Sequence, residues 1–282
     1  MADTHFYGMT DRWTTISGDP IDRHTFQPAH DINIAEVNLT IDGAPRKYLA
    51  YDCDPNGTKF RFYYTDNLDG QWTEYSGNPI LDGRAVTEYR WPSVAWNGTA
   101  LHMSLCDNAH TVLERWTSTN GTGFTYQEDI TTVNGTAYMN PFIWKDPNDS
   151  KWCLYYKIHG TPRELYIKTA DTIEGLTSAS STKVMDDNDA SPGTVAAASV
   201  FYKDGKYWLL TEYQDGGVWK ISAFYSDSRD SGFTYAKDIL LLNEACPIAL
   251  GSPEGSDVYL YVSRDDGIYW RADSRKLFVD NK

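Results

Sequence analysis

The chain has 282 residues, with 39 Asp and Glu against 25 Lys and Arg, giving a net charge of −14. That balance excludes a nucleic-acid or anionic-membrane partner held by a basic face, because both need clustered cations. No apolar run of about 18 residues occurs, so no transmembrane helix is predicted, and an aromatic content of 14% with 20 Tyr and 10 Trp fits a strand-rich fold.

Residues 1–29 are irregular apart from one candidate strand at Trp13-Thr14-Thr15-Ile16. A repeating unit begins after them. Ala35-Glu36-Val37-Asn38-Leu39 leads through Asp42-Gly43 to Lys47-Tyr48-Leu49-Ala50-Tyr51. Trp91-Pro92-Ser93-Val94-Ala95-Trp96 leads through Asn97-Gly98 to Leu101-His102-Met103-Ser104-Leu105. Asn140-Pro141-Phe142-Ile143-Trp144 leads through Asp146-Pro147-Asn148-Asp149 to Trp152-Cys153-Leu154-Tyr155-Tyr156. Ala198-Ser199-Val200-Phe201-Tyr202 and Glu244-Ala245-Cys246-Pro247-Ile248 open two more copies. Each is an alternating strand, a turn of Asn, Asp or Gly, and a return strand.

A second marker keeps step with the first. Thr65-Asp66-Asn67-Leu68-Asp69-Gly70-Gln71-Trp72, Ser118-Thr119-Asn120-Gly121-Thr122-Gly123-Phe124 and Ser226-Asp227-Ser228-Arg229-Asp230-Ser231-Gly232-Phe233 are polar turns ending in Gly and then an aromatic. They belong between the third and fourth strands of their units. In the third unit Asp171-Thr172-Ile173-Glu174-Gly175-Leu176 takes that place and is expected to form one helical turn. Strand-only units repeating about every 50 residues predict a β-propeller. The expected fold is all-β, one five-bladed domain over 1–282, with blades near 31–81, 86–131, 137–186, 194–242 and 244–275. The last unit lacks a fourth strand, which the Trp13 region or the segment at Phe278 is expected to supply.

The first strand of every blade lines the axis, so their starts converge on one mouth. Asn33-Ile34, Arg90-Trp91, Met139-Asn140, Ala196-Ala197 and Glu244-Ala245 fall there, with Asp31, Glu36 and Glu88 near in sequence. Loops after the second strands add Asp52, Asp107, His110, His159, Arg163, Glu212 and Asp215. Such a mouth, acidic with Trp91 and amides, suits a neutral or cationic saccharide. Asp186-Asp187-Asn188-Asp189 reads as a solvated loop, with calcium binding as the lesser alternative.

The repeat and its strand starts resemble the five-bladed glycoside hydrolases of families 43, 32, 68, 62 and 130. That resemblance implies paired carboxylates at blade starts, acting as acid and as base or nucleophile. It expects Asp directly before Pro, where this chain carries Trp91 and Asn140. The resemblance therefore assigns the proton donor to Glu244 and the base or nucleophile to Asp31 or Glu36. Glu88, Arg90, Trp91, Asn140, His159 and Glu212 become its substrate-binding residues. A non-catalytic carbohydrate-recognition or receptor-binding propeller is the alternative, which the missing Asp residues favour. Tyr89-Arg90-Trp91-Pro92 and Ser228-Arg229-Asp230-Ser231-Gly232-Phe233 are also similar to the Arg motif and the Asp-box of sialidases.

No cofactor or metal is expected, although a central calcium ion is compatible with the fold. The expected partner is an oligo- or polysaccharide bound by a monomer, without nucleic acid or a membrane span. Six Asn-X-Ser/Thr sites, at Asn38, Asn56, Asn97, Asn120, Asn134 and Asn148, read either as turns or as glycosylation sites of a secreted mature chain. Cytoplasmic residence is the alternative. Cys53, Cys106, Cys153 and Cys246 lack zinc spacing and read as buried thiols, with a Cys53–Cys106 disulfide as the other option.

Overall fold

The structure is a computed structural model. It describes residues 13–15, 32–53, 60–68, 72–80, 89–107, 111–130, 132–133, 138–189, 195–215, 218–240, 244–251, 258–265 and 270–277. After the short β1 (Trp13–Thr15), strands come in fours: β2 (Asn33–Ile41), β3 (Ala44–Cys53), β4 (Phe60–Thr65) and β5 (Thr73–Glu74) form the first antiparallel meander. The second is β6 (Tyr89–Trp96), β7 (Leu101–Asp107), β8 (Leu113–Ser118) and β9 (Thr125–Ile130). The third is β10 (Tyr138–Lys145), β11 (Trp152–Ile158), β12 (Glu164–Ala170) and β13 (Ser181–Asp186). The fourth is β14 (Ala198–Lys203), β15 (Lys206–Asp215), β16 (Val218–Ser226) and β17 (Thr234–Leu240). A last sheet joins β18 (Glu244–Gly251), β19 (Val258–Asp265) and β20 (Trp270–Leu277) to β1, and it is described by its backbone alone.

The inner strands form a ring. β2 lies against β6, β6 against β10, β10 against β14 and β14 against β18, which returns to β2. The chain is thus an all-β, single-domain β-propeller. Burial follows from the ring. β11, with a sheet on either side, is buried at all seven of its residues, whereas β9 at an outer edge alternates between exposed and half-buried up to the buried Ile130. Among the described residues three apolar clusters fill the gaps between sheets; one spans the first and second sheets through Leu49, Phe62, Met103 and Trp116, and another spans the second and third through Leu113, Ile143, Leu154 and Tyr156.

The polar turns lie between third and fourth strands and are closed by the hydroxyl that ends each third strand. Asn67 N donates to Thr65 Oγ1, Gly121 N to Ser118 Oγ and Ser228 N to Ser226 Oγ, at 3.2, 2.9 and 3.0 Å. Gly121 and Gly232 hold φ of 79° and 70°, which a glycine adopts without steric cost. In the third sheet a 3₁₀ turn at Glu174–Thr177 replaces this device.

Candidate functional site

In every meander the inner strand runs away from one end of the propeller, and the second strand returns to it. The phase of the inner strands is fixed by hydrogen bonds between sheets. Val94 N donates to Asn33 Oδ1 at 2.9 Å, and Ile143 N donates to Ser93 Oγ at 2.8 Å. Asn33 and Ser93 therefore stand at one level of their strands. Two residues before Ser93 is Trp91, and Asn140 occupies the same place in β10.

Both positions are distorted alike. A bulge separates Arg90 from Ser93 and Met139 from Phe142 in their pairing with the second strands. Within it Trp91 has φ 53° and Asn140 φ 50°. For Trp, whose side chain is bulky, this backbone is an outlier; Asn tolerates it better. Proline follows each, which suits a point where ladder pairing is interrupted. Trp91 is half-buried and packs on the cluster between the second and third sheets. Arg90, half-buried, stands opposite Cys106. Asn140 is 6% exposed, and its buried Oδ1 has no hydrogen-bond partner among the described residues.

The fourth sheet brings a carboxylate to the same end from its second strand. Glu212 Oε1 accepts from Ala197 N at 3.4 Å, and Thr211 Oγ1 accepts from Ala196 N at 3.1 Å. Glu212 is buried. Lys157, which the sequence reading missed, is buried opposite Met139, next to Asn140 in β10. Its signal was a Lys inside an otherwise apolar strand. Asp52 is completely buried opposite Arg61.

The remaining residues divide. His159 lies just beyond β11 at the same end and is exposed. Glu36 is exposed and pairs opposite Tyr48, as Trp96 pairs opposite Leu101. It therefore sits three residues further along its strand than Asn33, about 10 Å from that level, and does not join Trp91 and Asn140. Matching the repeats by sequence puts Ala35 against Pro92 and Glu36 against Ser93; the Asn33–Val94 bond instead sets Asn33 against Ser93 and moves Glu36 away. Glu244 begins β18 opposite Arg264. Asp31, Glu88 and His110 lie outside the described residues.

The acidic run is fastened through Asp186 and Asp187, while Asn188 and Asp189 are exposed to solvent. Asp187 Oδ1 accepts from Val195 N at 2.8 Å and Oδ2 from Arg163 N at 3.0 Å, while Asp186 Oδ1 accepts from Asn188 N at 2.8 Å. Asp187 thereby ties the segment before β14 to the loop after β11. Among the described residues no group of His, Cys, Asp and Glu assembles a metal site. Cys106 and Cys153 are buried, and burial pushes the Cys153 thiol up to about 12. No described helix is long and apolar enough to cross a membrane.

No family model and no curated protein matches the chain. Solved structures do. An endo-arabinase from Bacteroides thetaiotaomicron superposes with a TM-score of 0.70 at 12% identity, over 95% of this chain and 98% of that one. A thermostable family-43 glycoside hydrolase gives 0.68 at 14% identity, over 92% and 94%. An exo-β-1,3-galactanase from Phanerochaete chrysosporium, solved with β-1,3-galactotriose, gives 0.67 at 17% identity, over 94% of this chain and 63% of that one. The chain shares the propeller fold of these glycosidases.

Proposed function

We propose that this protein is a carbohydrate-active propeller of the glycoside-hydrolase-like kind. Its five sheets are read as five blades around an axial mouth that takes a neutral saccharide. The observation that carries this reading is the pair Trp91 and Asn140, held at corresponding points of neighbouring inner strands on left-handed backbone. Strained backbone concentrates at ligand sites because binding, rather than folding, benefits from it. A half-buried indole offers a face for the apolar side of a sugar ring, and an amide offers hydrogen bonds to hydroxyls.

In the hydrolytic form of the proposal, Glu244 is the proton donor and Asp31 the base or nucleophile. Asp31 stands two residues before Asn33 in the sequence, as Trp91 stands two before Ser93. Arg90, Trp91, Asn140 and Glu212 hold the substrate. Glycoside hydrolysis requires one carboxyl protonated and the other ionised, on opposite sides of the scissile bond. The acidic composition and six Asn-X-Ser/Thr sites support work outside the cell.

Carbohydrate recognition without turnover is the second reading. It is favoured by Trp91, Asn140 and Ala197, none of which can exchange a proton at the aligned positions. A screen of aryl-glycosides and a glycan array, run on wild type and Glu244→Gln, separates the two. Turnover abolished in the variant with binding kept establishes hydrolysis. Equal binding and no turnover in both proteins leaves recognition, and no binding in either overturns both.

A further inference from the structure

Four of the six Asn-X-Ser/Thr sites lie in the described residues; Asn56 and Asn134 lie outside them. The four differ in what their side-chain nitrogens do. Asn38 stands inside the inner strand β2, whereas the other three stand in turns at the end of the propeller away from the mouth. An acceptor of an N-linked glycan belongs on a surface turn, because the sugar is bulky and hydrated. Two of the three turn sites have their nitrogen engaged. Asn97 Nδ2 lies 2.9 Å from Nε2 of the buried His102, and the Thr99 hydroxyl is turned back onto Asn97 Oδ1 at 3.0 Å. Asn148 Nδ2 donates to the Tyr207 hydroxyl of the fourth sheet at 2.9 Å. A sugar on either nitrogen would be pressed against a neighbouring strand.

Asn120, between β8 and β9, is different. It is exposed, and its side-chain oxygen takes all the bonds of the turn: Thr122 N donates to Oδ1 at 3.0 Å, Gly123 N at 2.9 Å and Ser118 Oγ at 3.0 Å. The oxygen and nitrogen of an amide point apart, so holding Oδ1 in the turn directs Nδ2 outward. Among the described residues Nδ2 makes no hydrogen bond. A Cβ at Gly123 would stand 3.9 Å from Nδ2, so the glycine keeps the flank of that nitrogen clear. The backbone beneath is pinned from both sides, since Gly121 N donates to Ser118 Oγ and Tyr51 donates to the Gly121 carbonyl. A substituent on Nδ2 disturbs none of these contacts.

We propose that Asn120 is a glycosylation site, taking an oligosaccharide from a polyprenyl-pyrophosphate donor through an oligosaccharyltransferase that reads the Thr122 hydroxyl. The inference rests on the extracellular part of the proposed function. Nδ2 forms a bond to C1 of the first sugar, the bond from C1 to the pyrophosphate oxygen breaks, the polyprenyl pyrophosphate leaves, and one amide proton passes to a base of the transferase. The glycan stands on the end opposite the mouth and leaves entry of a saccharide there unobstructed.

The full chain is expressed behind a cleavable signal sequence in a eukaryotic host, and its sites are mapped by glycopeptide mass spectrometry; chain retained in the cell is mapped in the same way. The expected result is a glycan at Asn120, with Asn97 and Asn148 bare. It is lost in Asn120→Gln and in Thr122→Ala, and kept in Asn97→Gln and Asn148→Gln. Asn120→Gln also disturbs the acceptor of the turn, so Thr122→Ala, which keeps Asn120, decides if that variant does not fold. Bare Asn120, or glycans at Asn97 or Asn148 instead, overturns the inference. The saccharide screen is run on unglycosylated chain from a bacterial host. Binding there with Asn120 bare in the secreted chain sinks this inference alone, and a glycan at Asn120 without saccharide binding sinks the proposed function alone.

Discussion

The phenol of Tyr51 in the first sheet donates a hydrogen bond to the carbonyl of Gly121 in the second, at 2.7 Å. Tyr155 in the third sheet repeats the contact with the Arg229 carbonyl of the fourth, at 2.8 Å. Each tyrosine reaches across to the polar turn of the next sheet. Ser104 holds the matching place in the second sheet, opposite Ser93, and is too short to do so. There the 3₁₀ turn of the third sheet fills the gap.

Tyr51→Phe removes one such bond and leaves the Gly121 carbonyl unsatisfied. A loss of about 1 kcal/mol is expected, read from the urea midpoint at unchanged m. Tyr155→Phe should cost a similar amount, and the double variant should be additive because the sites share no partner. Gly121→Ala should cost more, since its φ is 79° and the added Cβ would meet the Tyr51 hydroxyl at 3.2 Å.

Arg229 fastens the fourth sheet to the third through Asp146, a completely buried carboxylate that also accepts from the Tyr207 hydroxyl at 3.0 Å. Removing the cation while keeping the buried anion is the damaging change. Arg229→Met is expected to lose about 3 kcal/mol, and Arg229→Met with Asp146→Asn to recover part of it. Equal losses in both would show that the charge of Asp146 is not what matters.

His102 is buried at the seam between the second and third sheets. Its Nε2 lies 2.9 Å from Asn97 Nδ2 and 3.4 Å from Glu174 Oε1, and its Nδ1 lies 3.4 Å from Arg115 Nη1. Burial lowers its pKa from 6.5 to about 4; Glu174 opposes the shift and Arg115 adds to it. The folded state thus takes up its proton later than the unfolded state. The stability contributed by neutral His102 is complete above about pH 6.5 and is lost as the pH falls towards 4. The stability difference between wild type and His102→Gln should shrink across that window, measured by denaturant titration at successive pH values.

Lys168 is fully buried and donates to the Thr177 carbonyl at 2.9 Å. Burial alone lowers its pKa from 10.5 to about 8. Its charge therefore opposes folding fully below about pH 8, and that cost fades as the pH rises to 10.5. Wild type should gain on Lys168→Met between those values; a constant difference would refute the assignment.

The strands, turns and repeat were legible because alternation and turn chemistry are local. The hydroxyls Thr65, Ser118 and Ser226, each followed by a polar turn, mark equivalent points of three sheets in the sequence itself. The phase of β2 was not legible. Its bulge, between Glu36 and Leu39, breaks the alternation with no proline to mark the place, and only the bond from Val94 to Asn33 fixes the phase. Matching the repeats by sequence carried Glu36 towards the mouth and left the role of Asn33 in joining β2 to β6 unseen. Lys157 escaped for another reason: a cation within an apolar strand looks like an edge position until the neighbouring sheet is seen to cover it. Trp91 and Asn140 were found by their place before proline, but their left-handed backbone is a property no residue type announces.

The last sheet takes its outer strand, β1, from the beginning of the chain and its other three from the end. Nearly the whole sequence lies between Trp13 and its partner Leu277. The entropy of closing so long a loop is met only when everything between is already ordered, and contacts of such high sequence separation slow folding. The ring is therefore latched at one seam. Trimming either terminus opens the same sheet, whereas a permuted chain with its ends joined and a new break between other sheets would move the latch elsewhere.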